Sequence, residues 1–283
     1  MVRKPAGKSK KLLLKGEKSK ILLVGGGKMG RALLAGWKRE GISSKKVLVV
    51  EPLDLNRDII SKEGFSYSKT LPEIEKFNPD VIIFAVKPDQ IAGVLPWYYE
   101  RFEKALFISI AAGITIEFIK KHSGIYARVV RAMPNLAATI GQGVTVVAGD
   151  NVLEAEYGDF ITKLFSSVGS CYWAIEQYMD AVTAVSGSGP AYFFYLAECL
   201  MEAAEAHNIP KELAKNLVLQ TMKGSALMAY DPDRPVSILR QEVTSPGGTT
   251  EAALKVLNQD NRFKNLIKEA VKAAAERAEK LTK

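Results

Sequence analysis

From Ile21 onward the chain alternates short apolar runs with longer stretches whose apolar residues recur three and four positions apart. Ile21-Leu22-Leu23-Val24 and Val47-Leu48-Val49-Val50 contain no polar residue, and Val81 to Ala85 and Ala105 to Ile110 repeat the theme. A strand without alternation is buried on both faces, as in a parallel sheet covered by helices. Between the first two runs Met29, Leu33, Leu34 and Trp37 fall on one face of a helix. Tyr126 to Ala132 and Gly143 to Ala148 extend the same sheet, and residues 151–165 read as a further helix. The pattern predicts an α/β domain built on a doubly wound parallel sheet.

Past residue 174 the strand signals stop. Ala191 to His207, Lys211 to Tyr230, Pro235 to Val243, Thr249 to Leu257 and Arg262 to Leu281 read as helices separated by Pro and Gly. This gives a dinucleotide-scale α/β domain over 21–173 and an all-helical domain over 174–283. Ala191-Tyr192-Phe193-Phe194-Tyr195-Leu196-Ala197 is apolar or aromatic nearly all the way round. A small helical domain has little of its own to cover such a helix, so a homodimer or higher oligomer with interlocked helices is expected, a well-wrapped monomer core being the alternative.

Length, composition and charge narrow the classes. At 283 residues there is room for two medium domains with real cores. No apolar run is long enough to span a bilayer, so no membrane association is expected. Two cysteines, Cys171 and Cys199, make no disulfide framework and point to a cytoplasmic setting. Residues 1–20 carry eight Lys and Arg against Glu17 alone, so seven of the chain's eight net positive charges sit there. The body is nearly neutral, which argues against nucleic acid as a partner. The tail itself reads as a solvated extension, with an organelle transit peptide as the alternative.

Candidate chemistry begins at Gly25-Gly26-Gly27-Lys28-Met29-Gly30, a G-x-G-x-x-G match that follows a strand directly and opens a helix. Gly25 permits the tight turn, Gly27 lets backbone approach a pyrophosphate, and Gly30 allows close helix–strand packing. At the end of the second strand Glu51 is placed to accept hydrogen bonds from an adenosine ribose and to repel a 2′-phosphate. The other arrangement turns Glu51 to solvent at Pro52 and leaves Arg57 to serve a 2′-phosphate, so both NADH and NADPH remain open. Ala85-Val86-Lys87-Pro88, Ala111-Ala112-Gly113 and Met133-Pro134-Asn135 end later strands at the carboxyl edge, where ligands bind in such folds. Lys87 is a candidate for a ribose or phosphate. Ala111 and Ala112 leave room for a nicotinamide, and Asn135 is a candidate polar contact near the reacting end. Ser186-Gly187-Ser188-Gly189-Pro190 reads as a tight turn leading into the helical domain or as a wall of the substrate pocket.

Residues 243–254, Val-Thr-Ser-Pro-Gly-Gly-Thr-Thr-Glu-Ala-Ala-Leu, place a proline stop and two glycines ahead of an apolar-periodic helix. Such a terminus has unpaired N–H groups and four nearby hydroxyls, of Thr244, Ser245, Thr249 and Thr250, and suits a carboxylate or phosphate. An ordinary glycine turn with a Thr cap is the plainer reading. Only two histidines occur, neither beside these turns, and residues 191–206 contain no lysine. Hydroxyls and backbone amides suit reduction of an already cationic C=N bond better than a ketone that needs a strong acid.

Together these motifs, above all Val243 to Leu254, resemble the Δ1-pyrroline-5-carboxylate reductases, in family order over roughly residues 21–270. The resemblance implies a Rossmann-type doubly wound domain followed by an all-helical dimerisation domain. It also implies reduction of 1-pyrroline-5-carboxylate, a cyclic imine carboxylate, to L-proline by hydride from NADPH or NADH. By position it implies that Thr250 bonds the imine nitrogen, and that Ser245, Gly247, Gly248 and Thr249 cradle the substrate carboxylate. The cofactor residues would be Gly25, Gly27, Lys28, Met29, Gly30, Glu51, Ala85, Val86, Lys87, Pro88, Ala111, Ala112 and Asn135, with no metal. Glu51 departs from the small or cationic residue often found at its position in the family.

Overall fold

The computed structural model describes residues 19–70 and 76–281; the basic tail therefore lies outside the described residues except for Ser19 and Lys20. The chain divides into two compact units, one running to Ser188 and resuming at Ala274, the other Gly189–Ala273.

The first unit is built on an eight-stranded sheet: β1 (Ile21–Val24), β2 (Val47–Val50), β3 (Ser66–Ser68), β4 (Val81–Phe84), β5 (Leu106–Ser109), β6 (Arg128–Pro134), β7 (Gly143–Ala148) and β8 (Gly169–Trp173). Spatial order is β3-β2-β1-β4-β5-β6-β7-β8. Helices α1 (Lys28–Arg39), α2 (Asp54–Lys62), α3 (Pro88–Phe102), α4 (Ile116–Ser123) and α5 (Asn151–Ser166) connect the strands, and the short α6 (Met179–Val182) follows them. Alternate residues of β1 serve opposite cores. Ile21 and Leu23 join Leu33, Leu34, Trp37 and Phe165 on one face, while Leu22 and Val24 join Ile91, Leu95, Tyr98 and Ile119 on the other. This two-sided burial is what the unbroken apolar runs require.

Two strands escape the apolar pattern. β3 is a three-residue edge strand, Ser-Tyr-Ser, and β8 closes the other edge with Gly-Ser-Cys-Tyr-Trp. The sheet also departs from all-parallel at one place, where β6 pairs antiparallel with β7. Only residues 135–142 join them, largely as the 3₁₀ turn Leu136–Ile140, and a parallel return needs a crossover of about a dozen residues or more. β8 then pairs parallel with β7.

Residues 174–188 stay with the first unit, later than the composition change at 174. A reason lies in Arg131 of β6, only 2% exposed, which pairs with Glu176 at 3.2 Å and Asp180 at 2.9 Å. Glu176 Oε1 also accepts the Ile116 N–H at 3.1 Å. A buried guanidinium needs such partners, because unpaired it carries a large desolvation cost. Ser186 to Gly189 is no open turn either: Thr183–Gly187 forms a π-helical turn that runs into the next helix, with Ser188 N–H donating to the Thr183 carbonyl at 2.8 Å.

The second unit is helical: α7 (Gly189–Ala206), α8 (Lys211–Ala229), α9 (Val236–Glu242), α10 (Thr249–Asn258) and α11 (Arg262–Lys280), whose last turns return to the first unit. Phe193, Phe194, Tyr195, Leu227 and Tyr230 are exposed there. Among the described residues no helix is long and apolar enough to cross a membrane.

Placing Cys171 inside β8 makes a chemical prediction. Burial pushes its thiol up to about 12, against the opposing Thr162 hydroxyl. A Cys199→Ser variant should therefore resist thiol reagents at neutral pH and become labelled only as it unfolds. Rapid labelling of the native protein would contradict the position of β8.

Candidate active site

Parallel pairing of β1 with β4, β4 with β5 and β5 with β6 brings Gly25–Gly30, Ala85–Pro88, Ala111–Ala112 and Asn135 to one edge of the sheet. The β1–α1 turn is shaped by close approach. A Cβ on Gly25, whose φ is +103°, would lie 2.7 Å from the Ala85 carbonyl oxygen, and one on Gly30 would lie 2.3 Å from the Gly25 carbonyl oxygen. Gly27 differs, since a Cβ there would meet nothing within 4 Å. The turn is thus tight beneath and open above. Gly27 caps α1 without a side-chain bond, no acid lies in the first turn, and Lys28 and Met29 amides have no partner among the described residues. Orphan N–H groups beside open space fit the pyrophosphate of a nicotinamide dinucleotide.

Glu51 is 4% exposed and holds this turn from below. Its Oε2 accepts the Gly26 N–H at 2.7 Å and its Oε1 the Leu53 N–H at 2.9 Å. Arg57 donates to the Glu51 carbonyl at 3.0 Å and to the Pro52 carbonyl, and pairs with Asp54. The arrangement with Glu51 in solvent is not adopted. Lys87, exposed, is the N-cap residue of α3, followed by Pro88 at the first helical position. Ala111 is buried, with its N–H 3.3 Å from Ser109 Oγ, and Ala112 is half-buried beside it.

Asn135 is committed on both sides of its amide. Oδ1 accepts the Val144 N–H and Nδ2 donates to the Ser186 carbonyl, each at 3.2 Å. That carbonyl would bond the N–H of residue 190 in a regular helix, but Pro190 has none. The Asn135 amide supplies the missing donor.

In the second unit α10 begins at Thr249 with Gly248 as a cap lacking any side-chain bond. Gly247 has φ +73°, which explains glycine at that position. Its N–H donates to Glu251 Oε2 at 2.7 Å, and the Gly248 N–H donates to the Ser245 carbonyl at 3.0 Å. The two glycine amides expected to cradle an anion are therefore occupied within the turn. The Thr249 and Thr250 amides have no partner among the described residues. Glu251 was absent from the expected site. Its signal is spacing: three residues past the cap, as in a capping box.

The first unit is a dinucleotide-binding domain of an oxidoreductase, and in the second α10 starts with two unpartnered amides. Comparison with known proteins makes this specific. Residues 176–281 match the family described as pyrroline-5-carboxylate reductase dimerisation, and residues 20–113 match that described as NADP oxidoreductase, coenzyme F420-dependent. Pyrroline-5-carboxylate reductase of Pasteurella multocida is 34% identical over 271 residues, covering 93% of this chain and 98% of that protein. The Arabidopsis thaliana enzyme is 34% identical over 269 residues, covering 94% and 96% respectively. The solved structure from Coxiella burnetii superposes with a TM-score of 0.86 at 35% identity, covering 94% of this chain and 99% of that one. The Plasmodium falciparum structure, with NADP bound, gives 0.82 at 31% identity, covering 94% and 99%. The chain belongs to the pyrroline-5-carboxylate reductase family.

The Asn135–Ser186 bond predicts a coupled pair. Asn135→Asp sets an acceptor against the Ser186 carbonyl and should cost about 1–2 kcal/mol in urea unfolding. Pro190→Ala restores an N–H for that carbonyl, so the double variant should lose less than the sum of the two single losses. Strictly additive losses would remove Asn135 from this role.

Proposed function

We propose that Thr250 and the free amides at the start of α10 bind the substrate, and that the glycine turn of β1–α1 binds the dinucleotide. The reaction is reduction of 1-pyrroline-5-carboxylate to L-proline, with NAD(P)H supplying the hydride. The observation that carries the assignment is the pair of unpartnered Thr249 and Thr250 amides on a glycine-shaped helix start. The substrate carboxylate docks on those amides and on the Ser245 and Thr249 hydroxyls, fixing which face of the ring is presented. The Thr250 hydroxyl then lies at the imine nitrogen and orients it or supplies its proton. Gly247 and Gly248 serve by conformation, holding the turn that aims the next two amides. Positioning supplies most of the rate, because the iminium already carries the charge that a strong acid would have to provide.

In the first unit the Lys28 and Met29 amides receive the pyrophosphate, Glu51 lies at the ribose, and Val86, Lys87 and Pro88 border the cofactor at the end of β4. Ala111 and Ala112 leave space for the nicotinamide. Asn135 acts there through the loop it ties down. A second copy of the chain covers the exposed aromatic face of α7, giving a homodimer or larger assembly. Concentration of positive charge in the tail supports a small-molecule partner over nucleic acid, with no membrane partner, and the two free cysteines support a reducing cytoplasmic setting.

Steady-state assays test the substrate assignment. Thr250→Ala should lower kcat/KM for pyrroline-5-carboxylate about 10- to 100-fold and leave the nicotinamide KM near wild type, with Thr250→Ser retaining most activity. A wild-type chain that oxidises neither NADH nor NADPH with this substrate would overturn the reaction, and an unaffected Thr250→Ala would overturn the role of the hydroxyl.

A further inference from the structure

We infer that Glu51 makes this chain discriminate against the 2′-phosphate of NADPH, so that NADH is the favoured donor. The inference rests on the cofactor site proposed above and adds which of the two nucleotides that site takes. Two arrangements are open to the sequence at the end of β2, and the geometry separates them.

The Glu51 carboxylate is buried directly beneath the glycine loop, fixed by the Gly26 and Leu53 amides at 2.7 and 2.9 Å. Each carboxylate oxygen accepts one bond here and keeps capacity for another. A ribose hydroxyl is a donor and suits that remaining capacity. A 2′-phosphate is an anion whose oxygens are acceptors, and it meets like charge instead. Discrimination in favour of the phosphate would need a cation at the same place, and Arg57 is the nearest candidate in sequence. Its guanidinium is already engaged by the Glu51 and Pro52 carbonyls and by Asp54, and it lies 5.9 Å from the Tyr67 ring. Turning it to a phosphate would strip two carbonyls and a carboxylate of their donor. Lys69, just past β3, is not free either. Around the β2 end itself, Glu51 and Asp54 outnumber Arg57 by one charge.

Glutamate is also the residue whose length matters. It spans from the end of β2 to the Gly26 amide while keeping Leu53 N–H within reach, so the group that shapes the turn is the one that carries the charge.

Adenosine 5′-monophosphate and adenosine 2′,5′-bisphosphate differ only in the 2′-phosphate, and calorimetric titration of the full chain with each reads discrimination without any hydride transfer. The monophosphate should bind about tenfold tighter or more, and Glu51→Gln should bring the two within about threefold of each other. Arg57→Leu should leave the ratio as it is in wild type. Tighter binding of the bisphosphate by wild type, or an unchanged ratio in folded Glu51→Gln, overturns the inference. Selective loss of bisphosphate binding in Arg57→Leu also overturns it, and that arm does not depend on the Glu51 variant folding. Equal binding of both nucleotides defeats the discrimination and leaves the dinucleotide site standing, whereas binding of neither defeats both.

Discussion

The carboxyl edge of the sheet depends on how closely α1 approaches the end of β1. A side chain at Gly30 would run into the Gly25 carbonyl, and one at Gly25 would run into Ala85 on the neighbouring strand. Those two close approaches fix the direction of α1 relative to the sheet and bring its first amides to the carboxyl edge. Everything later in the unit is arranged around that edge. β4 lies beside β1 and β5 beside β4, all in parallel register, so the turns after them open on the same side. Even the C-terminal helix takes part: a Cβ on Gly113 would meet Leu281 at 2.6 Å and the Ala278 carbonyl at 2.9 Å. The last turn of that helix thus seats against the loop that follows β5.

A common device serves both glycine turns. In each, a glycine amide is taken by a carboxylate of the protein itself, Gly26 by Glu51 and Gly247 by Glu251. That bond holds the turn, and the amides two and three residues further on have no partner among the described residues. A helix start leaves about four orphan N–H groups, so a turn that uses one internally still has enough for a ligand. The two carboxylates differ in consequence. Glu51 is buried, whereas Glu251 is exposed and well solvated, so its charge is screened.

Much of this was legible in the chain. The unbroken apolar runs of β1, β2 and β4 state their own burial, and a glycine triplet between a strand and a helix states the turn. The C-terminal helices are marked by their periodicity and by Pro210, Pro235 and Pro246. What was hidden depended on partners distant in sequence. β3 and β8 are edge strands whose polar or small residues carry no two-sided burial signal. The reversal between β6 and β7 follows from a connection too short to cross the sheet, which needs both strand ends located first. The turn at 245–250 is legible from its glycines and hydroxyls, but which of its amides lack partners follows only from Glu251 and the Ser245 carbonyl folding back on Gly247 and Gly248. The burial of Glu51 is not legible at Pro52, because a proline after a strand says nothing about an acceptor being wanted by an amide twenty-five residues earlier.

The segment leading out of the sheet shows how one missing donor organises a junction. Pro190 deprives the Ser186 carbonyl of its helical partner at the point where the backbone already loosens into a π turn. Ser186 and Thr183 hydroxyls bond back to Val182 and Met179 carbonyls, at 2.9 and 2.8 Å, which steadies that turn from within. Asn135 fills the remaining gap from the end of β6, and four residues earlier on the same strand Arg131 grips Asp180 and Glu176. Strand β6 therefore holds the outgoing chain at two points, one neutral and one ionic. A regular helix with alanine at 190 would satisfy itself and have no need of Asn135. The proline leaves the π turn to be bonded by the sheet, so residues 183–188 are anchored at the carboxyl edge, beside the end of β6.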